Sequence, residues 1–165
     1  VEGTTFNTRR GEYSVRASHL QLLSKAIRPL ASSWHGLRDP EIRYMDRTLD
    51  LIMNHNVANV FRKRAAILRE MRSYLDGMGF LEVDVPLLQP VYGGASATPF
   101  ATNVNALDRT YYLSISPELY LKKLIAGDFD AVYALTRNFR NEGIDSTHNP
   151  EFTMMECYRA FDDYN

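Results

Sequence analysis

Apolar residues recur in three- and four-residue steps from Val57 to Met78, at Val57, Val60, Phe61, Ala65, Leu68, Met71, Leu75 and Met78. That spacing is one face of an amphipathic helix. Asn56 is placed to cap its start, and Gly77 or Gly79 to close its end. Before it, Asp39-Pro40-Glu41 opens a second helical pattern in which Ile42, Met45, Leu49, Leu51 and Ile52 keep helical spacing. After it the period changes to two. Phe80 to Val85 alternates apolar with acidic residues, the pattern of a half-buried strand, and Pro86 ends its row of donors. Tyr111 to Ser116 alternates in the same way, and Pro117 then stands where a helix can begin and run to Ile125.

Two further strand patterns, 131–135 and 152–158, flank a polar segment rich in turn residues, which predicts an antiparallel hairpin. Successive strand residues point to opposite faces, so parity decides which side chains meet. It puts Arg140 and Glu142 on one face of the first arm, and Phe152, Glu156 and Tyr158 on one face of the second. His148 and Asn149 lie in the loop between. A single Arg-x-Glu pair on a hairpin is an ordinary surface ion pair of little energetic weight. A base, two acids, an imidazole and two rings around one hairpin make a constellation that reads as a functional site rather than a solvated surface. Strands mixed with helices, with no internal repeat, give the fold class α+β: a mostly antiparallel sheet backed by helices, with this hairpin near its centre.

Composition narrows the setting. The chain has 165 residues, 45% hydrophobic and 24% charged, which is ordinary for a globular domain. No apolar run approaches the roughly 20 residues needed to cross a bilayer, and the N-terminus lacks the pattern of a signal peptide, which together give the expectation of a cytoplasmic protein without a membrane partner. The net charge of −1 means that any nucleic-acid contact must come from a local patch. One such patch is the polar face of the long helix, with Arg62, Lys63, Arg64, Arg69, Glu70 and Arg72, a solvated face or a contact for RNA or a partner. The lone Cys157 has no partner for a disulfide and is expected to serve packing only. No Cys or second His stands at metal-ligand spacing to His148.

The run Phe139-Arg140-Asn141-Glu142-Gly143-Ile144-Asp145-Ser146-Thr147-His148-Asn149-Pro150-Glu151-Phe152-Thr153 resembles the second signature of class II aminoacyl-tRNA synthetases, in the form found in lysyl-tRNA synthetases. Gly79-Phe80-Leu81-Glu82-Val83-Asp84-Val85-Pro86 is similar to the first class II signature. Gly93-Gly94-Ala95-Ser96-Ala97-Thr98-Pro99-Phe100 resembles the loop that covers the amino acid, and Ser116-Pro117-Glu118-Leu119-Tyr120 the Pro-Glu-Leu segment of the lysine pocket. The resemblance implies a division into the tail of an N-terminal OB-fold anticodon-binding domain (1–30), a linker containing Trp34 (31–40) and the first part of a class II catalytic domain (41–165). It also implies a fragment, because nothing matches the third signature, Gly-x-Gly-x-x-Arg.

The implied activity is ATP-dependent conversion of lysine to lysyl-adenylate, followed by transfer to tRNA. Arg140 is the expected catalytic residue, its planar guanidinium bridging the substrate carboxylate and an α-phosphate oxygen. Glu142 accepts from the adenine amine and Phe152 offers its face to the base, a contact of about 1–3 kcal/mol. His148 and Asn149, on the loop, are placed to reach the phosphates or ribose, and the family implies His148 for ATP; for lysine the resemblance implies Gly94, Glu118, Arg140, Glu156 and Tyr158, since a buried ammonium needs carboxylate partners. Pro86 is implied in the interface of a homodimer. Magnesium is expected for the full enzyme, with its ligands outside this chain. Thr98 and Ser114 stand where the family usually has a basic residue, Ala134 where it has an acid, and Tyr44-Met45-Asp46-Arg47-Thr48 replaces a more basic run. Two alternatives remain open at this point: a lysyl ligase paralogue that modifies a protein of the elongation factor P type, and a non-catalytic dimerisation module.

Overall fold

Residues 1–27, 30 and 36–163 are described by a computed structural model of the chain, which divides into two units, Val1–Phe61 and Arg62–Asn165. Pro29 and residues 31–35 of the expected linker, Trp34 among them, lie outside the described residues.

In the first unit, β1 (Glu2–Asn7) and β2 (Tyr13–His19) form an antiparallel hairpin. Thr8 N–H donates to Glu12 O at 2.8 Å and Gly11 N–H to Thr8 O at 2.9 Å, with Gly11 at φ +82° closing the turn. The apolar positions of β1 are too sparse to reveal a period in the sequence. The single helix expected from Asp39 onward is two short ones, α1 (Pro40–Met45) and α2 (Arg47–Met53). Pro40, placed by the sequence reading at the end of the linker, is the first residue of α1. Asp39 caps α1 by accepting from the Glu41 and Ile42 N–H groups, and Asp46 ends α1 and caps α2 by accepting from Leu49 N–H. An aspartate in mid-pattern competes for backbone donors and starts a new helix instead of continuing the old one. The pair is tied by buried Asp50, whose carboxylate accepts from Arg43 and Arg47 at 2.7 Å each and from Asn54 at 2.7 Å. Those bonds, the one from Asn54 first, hold its carboxyl below the ordinary carboxylate range.

The long helix is α3 (Val57–Gly77), as its spacing predicts. It runs through Gly77 and is closed by Gly79 at φ +81°, with Phe80 N–H donating to Leu75 O and Gly79 N–H to Asp76 O. This is a Schellman ending, in which the residue without a Cβ takes the left-handed conformation. Then follow β3 (Leu81–Glu82), β4 (Leu88–Gln89), β5 (Ala101–Val104), β6 (Arg109–Leu113), α4 (Glu118–Ala126), β7 (Ala131–Phe139) and β8 (Glu151–Arg159). The strands form two sheets, ordered β3-β7-β8 and β4-β6-β5, and only the β3–β7 pair is parallel. A bond from Phe139 N–H to Ser114 O at 2.8 Å joins the ends of β7 and β6. The fold is α+β with mostly antiparallel pairing. Among the described residues β7, the first arm of the hairpin, lies in the middle of its sheet and β8 at the edge.

The two faces of β3-β7-β8 are covered differently. On the odd-numbered face, Tyr133 is buried and its hydroxyl donates to Asp76 of α3 at 2.9 Å and to Glu82 at 3.2 Å. Arg64 of α3 donates to Thr153, and Arg72 to both oxygens of Glu82. Part of the basic helix face read as open to solvent or partners is therefore used inside the fold. On the even-numbered face, Leu121 of α4 packs with Val132 and Ala134, all three without exposure, and Val83, Val85, Leu124, Ile125 and Tyr158 surround them. Cys157 falls on the other parity and is exposed rather than packed. Replacing Leu121 by Ala is expected to destabilise the fold by about 2–5 kcal/mol, the usual cost of an unfilled core site. Thermal or urea melting of the purified chain would show it. Among the described residues no helix is long and apolar enough to cross a membrane.

Candidate active site

Because α4 covers the even face only around Val132 and Ala134, the opposite end of the hairpin is left open. There Asn138 pairs with Phe152 across the ladder, and Arg140 N–H continues the pairing to Pro150 O at 2.9 Å, which keeps Arg140 on the same side as Phe152. Its guanidinium carbon lies 5.1 Å from the centre of the Phe152 ring. A cavity of about 250 Å³ opens here, lined by Arg140, Glu142, Gly143, Thr147, His148, Asn149 and Phe152. Every residue that the sequence reading assigned to ATP is among them.

Three contacts fix the polar walls. Glu142 accepts from Thr98 N–H at 3.2 Å, and Asn141 N–H donates to Thr98 O at 2.8 Å, so the loop after Gly94 is anchored on the hairpin through its backbone. Arg140 Nη2 donates to Ile115 O at 3.4 Å, while its buried Nε has no partner. An unmatched guanidinium nitrogen is costly in a protein, and an anion supplies what it lacks.

In the loop, the Asp145 carboxylate accepts from the Thr147 N–H and hydroxyl at 2.7 and 2.9 Å and from His148 N–H at 2.8 Å. These bonds, Thr147 N–H first, together with the His148 ring, hold Asp145 well below the ordinary carboxylate range. His148 Nδ1 lies 2.9 and 2.8 Å from the two Asp145 oxygens. A carboxylate only accepts, so Nδ1 carries the proton and Nε2 is left for other contacts. Asp145 has no role in the sequence reading. The signal that would have revealed it is the spacing Asp-x-Thr-His, in which an aspartate bonds backbone two and three residues on.

The acids implied for lysine form a second cluster on the same face. Glu156 Oε1 accepts from the Ser116 hydroxyl at 2.8 Å, and Glu156 Oε2 from the Tyr158 hydroxyl at 3.2 Å. It does not pair with Arg159, which donates to Met78 O, or with Lys123, which lies over the Tyr120 ring. Glu118, at the start of α4, bonds Lys122 one turn on, and the Lys122 ammonium also lies 5.9 Å from the Tyr158 ring centre. Gly94 closes the cluster at φ +85°, where a Cβ would come within 2.8 Å of Glu118 Cβ and 2.9 Å of Ser116 Oγ. Segment 114–118 runs between the two clusters: Ile115 O receives Arg140, Ser116 holds Glu156, and Glu118 begins the helix. The departures at Ser114 and Ala134 are both fully buried, Ser114 donating to Asn138 Oδ1 at 2.9 Å and Ala134 packing under α4. Pro86 is exposed beyond β3, its carbonyl accepting from Gln89. Among the described residues no three His, Cys, Asp or Glu side chains converge to seat a metal ion.

Burial, followed by the negative charges of Glu156 and Glu118 and the bond to Glu156, pushes the Tyr158 hydroxyl up to about 12 from 10.0. The protonated form is thus favoured in the fold. Its contribution to stability is complete below pH 10 and is lost as pH rises toward 12. Melting curves of the wild type and of Tyr158→Phe between these limits should converge as pH increases.

A hairpin with Arg140, Glu142 and Phe152 on one face, beside a cluster of acids at the head of a helix, is the arrangement of a class II aminoacyl-tRNA synthetase. The chain belongs to that family, matching tRNA synthetases class II (D, K and N) over residues 39–165. It is 56% identical to the lysine–tRNA ligase of Pelotomaculum thermopropionicum and 55% identical to that of Syntrophomonas wolfei, in both cases over 99% of its length. It is 54% identical to the lysine–tRNA ligase of Clostridium botulinum over all of its length. It spans about a third of each of these curated relatives, 32%, 33% and 33% of their lengths.

Proposed function

We propose that the chain supplies the lysine-binding acids and the ATP-facing hairpin of a lysine–tRNA ligase, a cytoplasmic homodimeric enzyme that uses ATP to activate lysine and then charges tRNA. The observation that carries this reading is Arg140, which lines the cavity with Phe152, donates through Nη2 to Ile115 O and keeps a buried Nε without a partner. Activation is attack by the lysine carboxylate on the α-phosphorus of ATP, with pyrophosphate leaving. The nucleophile is already ionised at neutral pH, so alignment and countercharge do the work of catalysis. Arg140 bridges carboxylate and α-phosphate, Glu142 and Phe152 hold adenine, and His148 and Asn149 hold phosphate or ribose. Glu156, Tyr158 and Glu118 receive the amino groups of lysine, beside the Gly94 backbone.

Residues 1–30 are the tail of an anticodon-binding domain, and Pro86 belongs to the dimer interface. Exposure of Ile67 and Tyr74 on α3, of Met78 just past its end and of Leu81 on β3 supports that interface, since an apolar row of this kind needs a cover. The test is pyrophosphate exchange by the full-length parent protein with lysine, arginine, ornithine and aspartate. Exchange driven by lysine alone is expected, and exchange driven equally by the others would overturn the reading. Transfer to tRNA rather than to a protein acceptor separates the ligase from a protein-modifying paralogue. The chain by itself is expected to exchange weakly or not at all, and near full-length rates would show that the remainder is dispensable.

A further inference from the structure

We infer that Ser116 is a positioning residue for substrate selection, setting the carboxylate of Glu156 without itself touching the ligand. The inference rests on the reading of Glu156 as the acid that receives the substrate ammonium. Ser116 is 2% exposed. Its hydroxyl has one proton and two lone pairs. The proton goes to Glu156 Oε1 at 2.8 Å, and a lone pair accepts Glu118 N–H at 3.1 Å. One buried hydroxyl thereby links the first turn of α4 to the middle of β8, elements that carry the two acids of the cluster. Pro117 has no side-chain acceptor for the free N–H groups at the helix start, and the Ser116 hydroxyl, accepting from Glu118 N–H, takes that part for α4.

The geometry around the hydroxyl leaves it little choice. On one side lies Gly94, whose missing Cβ would stand 2.9 Å from Ser116 Oγ. The neighbouring Ser114 is committed to Asn138 Oδ1 and to Ser116 O, which fixes the backbone that bears the hydroxyl. With Oε1 held by Ser116 and Oε2 by Tyr158, the plane of the Glu156 carboxylate is set before any ligand arrives. Preorganised acceptors bind a cation more tightly than mobile ones, because the ordering is already complete. Loss of the Ser116 proton frees the carboxylate to rotate about its own bond, and affinity for the ammonium falls.

The experiment is calorimetric titration of the full-length parent protein with lysine and, separately, with ATP, for the wild type, Ser116→Ala, Ser116→Cys, Glu156→Gln and the Ser116→Ala/Glu156→Gln double variant. Ser116→Ala is expected to raise the lysine Kd about ten-fold, the scale of a hydrogen bond to a charged group, and to leave the ATP Kd unchanged. Ser116→Cys, a weaker donor, should fall between, and it stands in if the alanine variant does not fold. In the Glu156→Gln background Ser116→Ala should add little, because the two act as one unit. A role in capping alone predicts lower melting temperature with unchanged lysine affinity, and that result overturns the inference while leaving the pocket reading intact. A wild type that binds ATP but not lysine overturns both.

Discussion

Replacing Arg140 by Lys in the full-length parent protein is expected to lower lysine-dependent pyrophosphate exchange by about 10²–10³-fold, with thermal stability nearly unchanged. The size follows from what a single preorganised donor is worth against charge that develops in a transition state. Lysine keeps the charge but not the shape. A guanidinium presents several N–H groups in one plane, able to contact a carboxylate and a phosphate oxygen together, whereas an ammonium acts as a point charge. Arg140 Nη2 is used on Ile115 O, and the buried Nε is the nitrogen without a partner, so the shape matters at the atom that is unsatisfied. Arg140→Ala should lose at least as much and also leave Phe152 without its covering group. Single-turnover adenylate formation, alongside the Kd of each substrate, is the deciding measurement. A loss below ten-fold for both variants would remove Arg140 from the catalytic role.

Gly94→Ala is expected to weaken lysine binding by two orders of magnitude or more while ATP binding persists. Two costs add. The backbone at φ +85° is in the left-handed region, which disfavours a residue with a Cβ by about 1–2 kcal/mol. The new methyl would also stand 2.8 Å from Glu118 Cβ and 2.9 Å from Ser116 Oγ, and overpacking of this kind typically costs about 1–3 kcal/mol. The loop can escape only by moving away from the acids, and doing so undoes the closure of the pocket. The cavity proposed for ATP meets this loop only farther on, where Thr98 is held to Glu142 and Asn141, and is expected to keep its shape. Equilibrium titration with each ligand distinguishes this outcome from general unfolding, in which both affinities would fail together.

The elements most legible in the sequence were those whose period is enforced by burial on one side. The long helix and the hairpin β7–β8 were of this kind. Parity alone brought Arg140, Phe152, Glu156 and Tyr158 to one face, because the ladder runs without a bulge from Ala131 to Phe139. What could not be read was local competition for donors. Asp46 divides a helix whose apolar spacing is unbroken, and Asp145 organises its loop through bonds that hydropathy does not register. The short strands β4 and β5 were equally hidden, since two to four residues carry no period. Ser116 is the most telling case. As one residue in a Pro-Glu-Leu motif it had no role, and only the distance to Glu156 across 40 positions of sequence gave it one.

The position of β8 at the rim of its sheet has a consequence for handling the chain. Nine residues, Glu151–Arg159, present one side of their backbone donors and acceptors without a partner among the described residues. Four of them, Phe152, Met154, Met155 and Tyr158, are large and apolar or aromatic, and no proline interrupts the row. A strand of that composition is a template for pairing with another copy of itself. Self-association of the isolated chain is therefore expected at this one margin. A charged substitution at an outward position of β8, such as Cys157→Lys, is the change that would protect it.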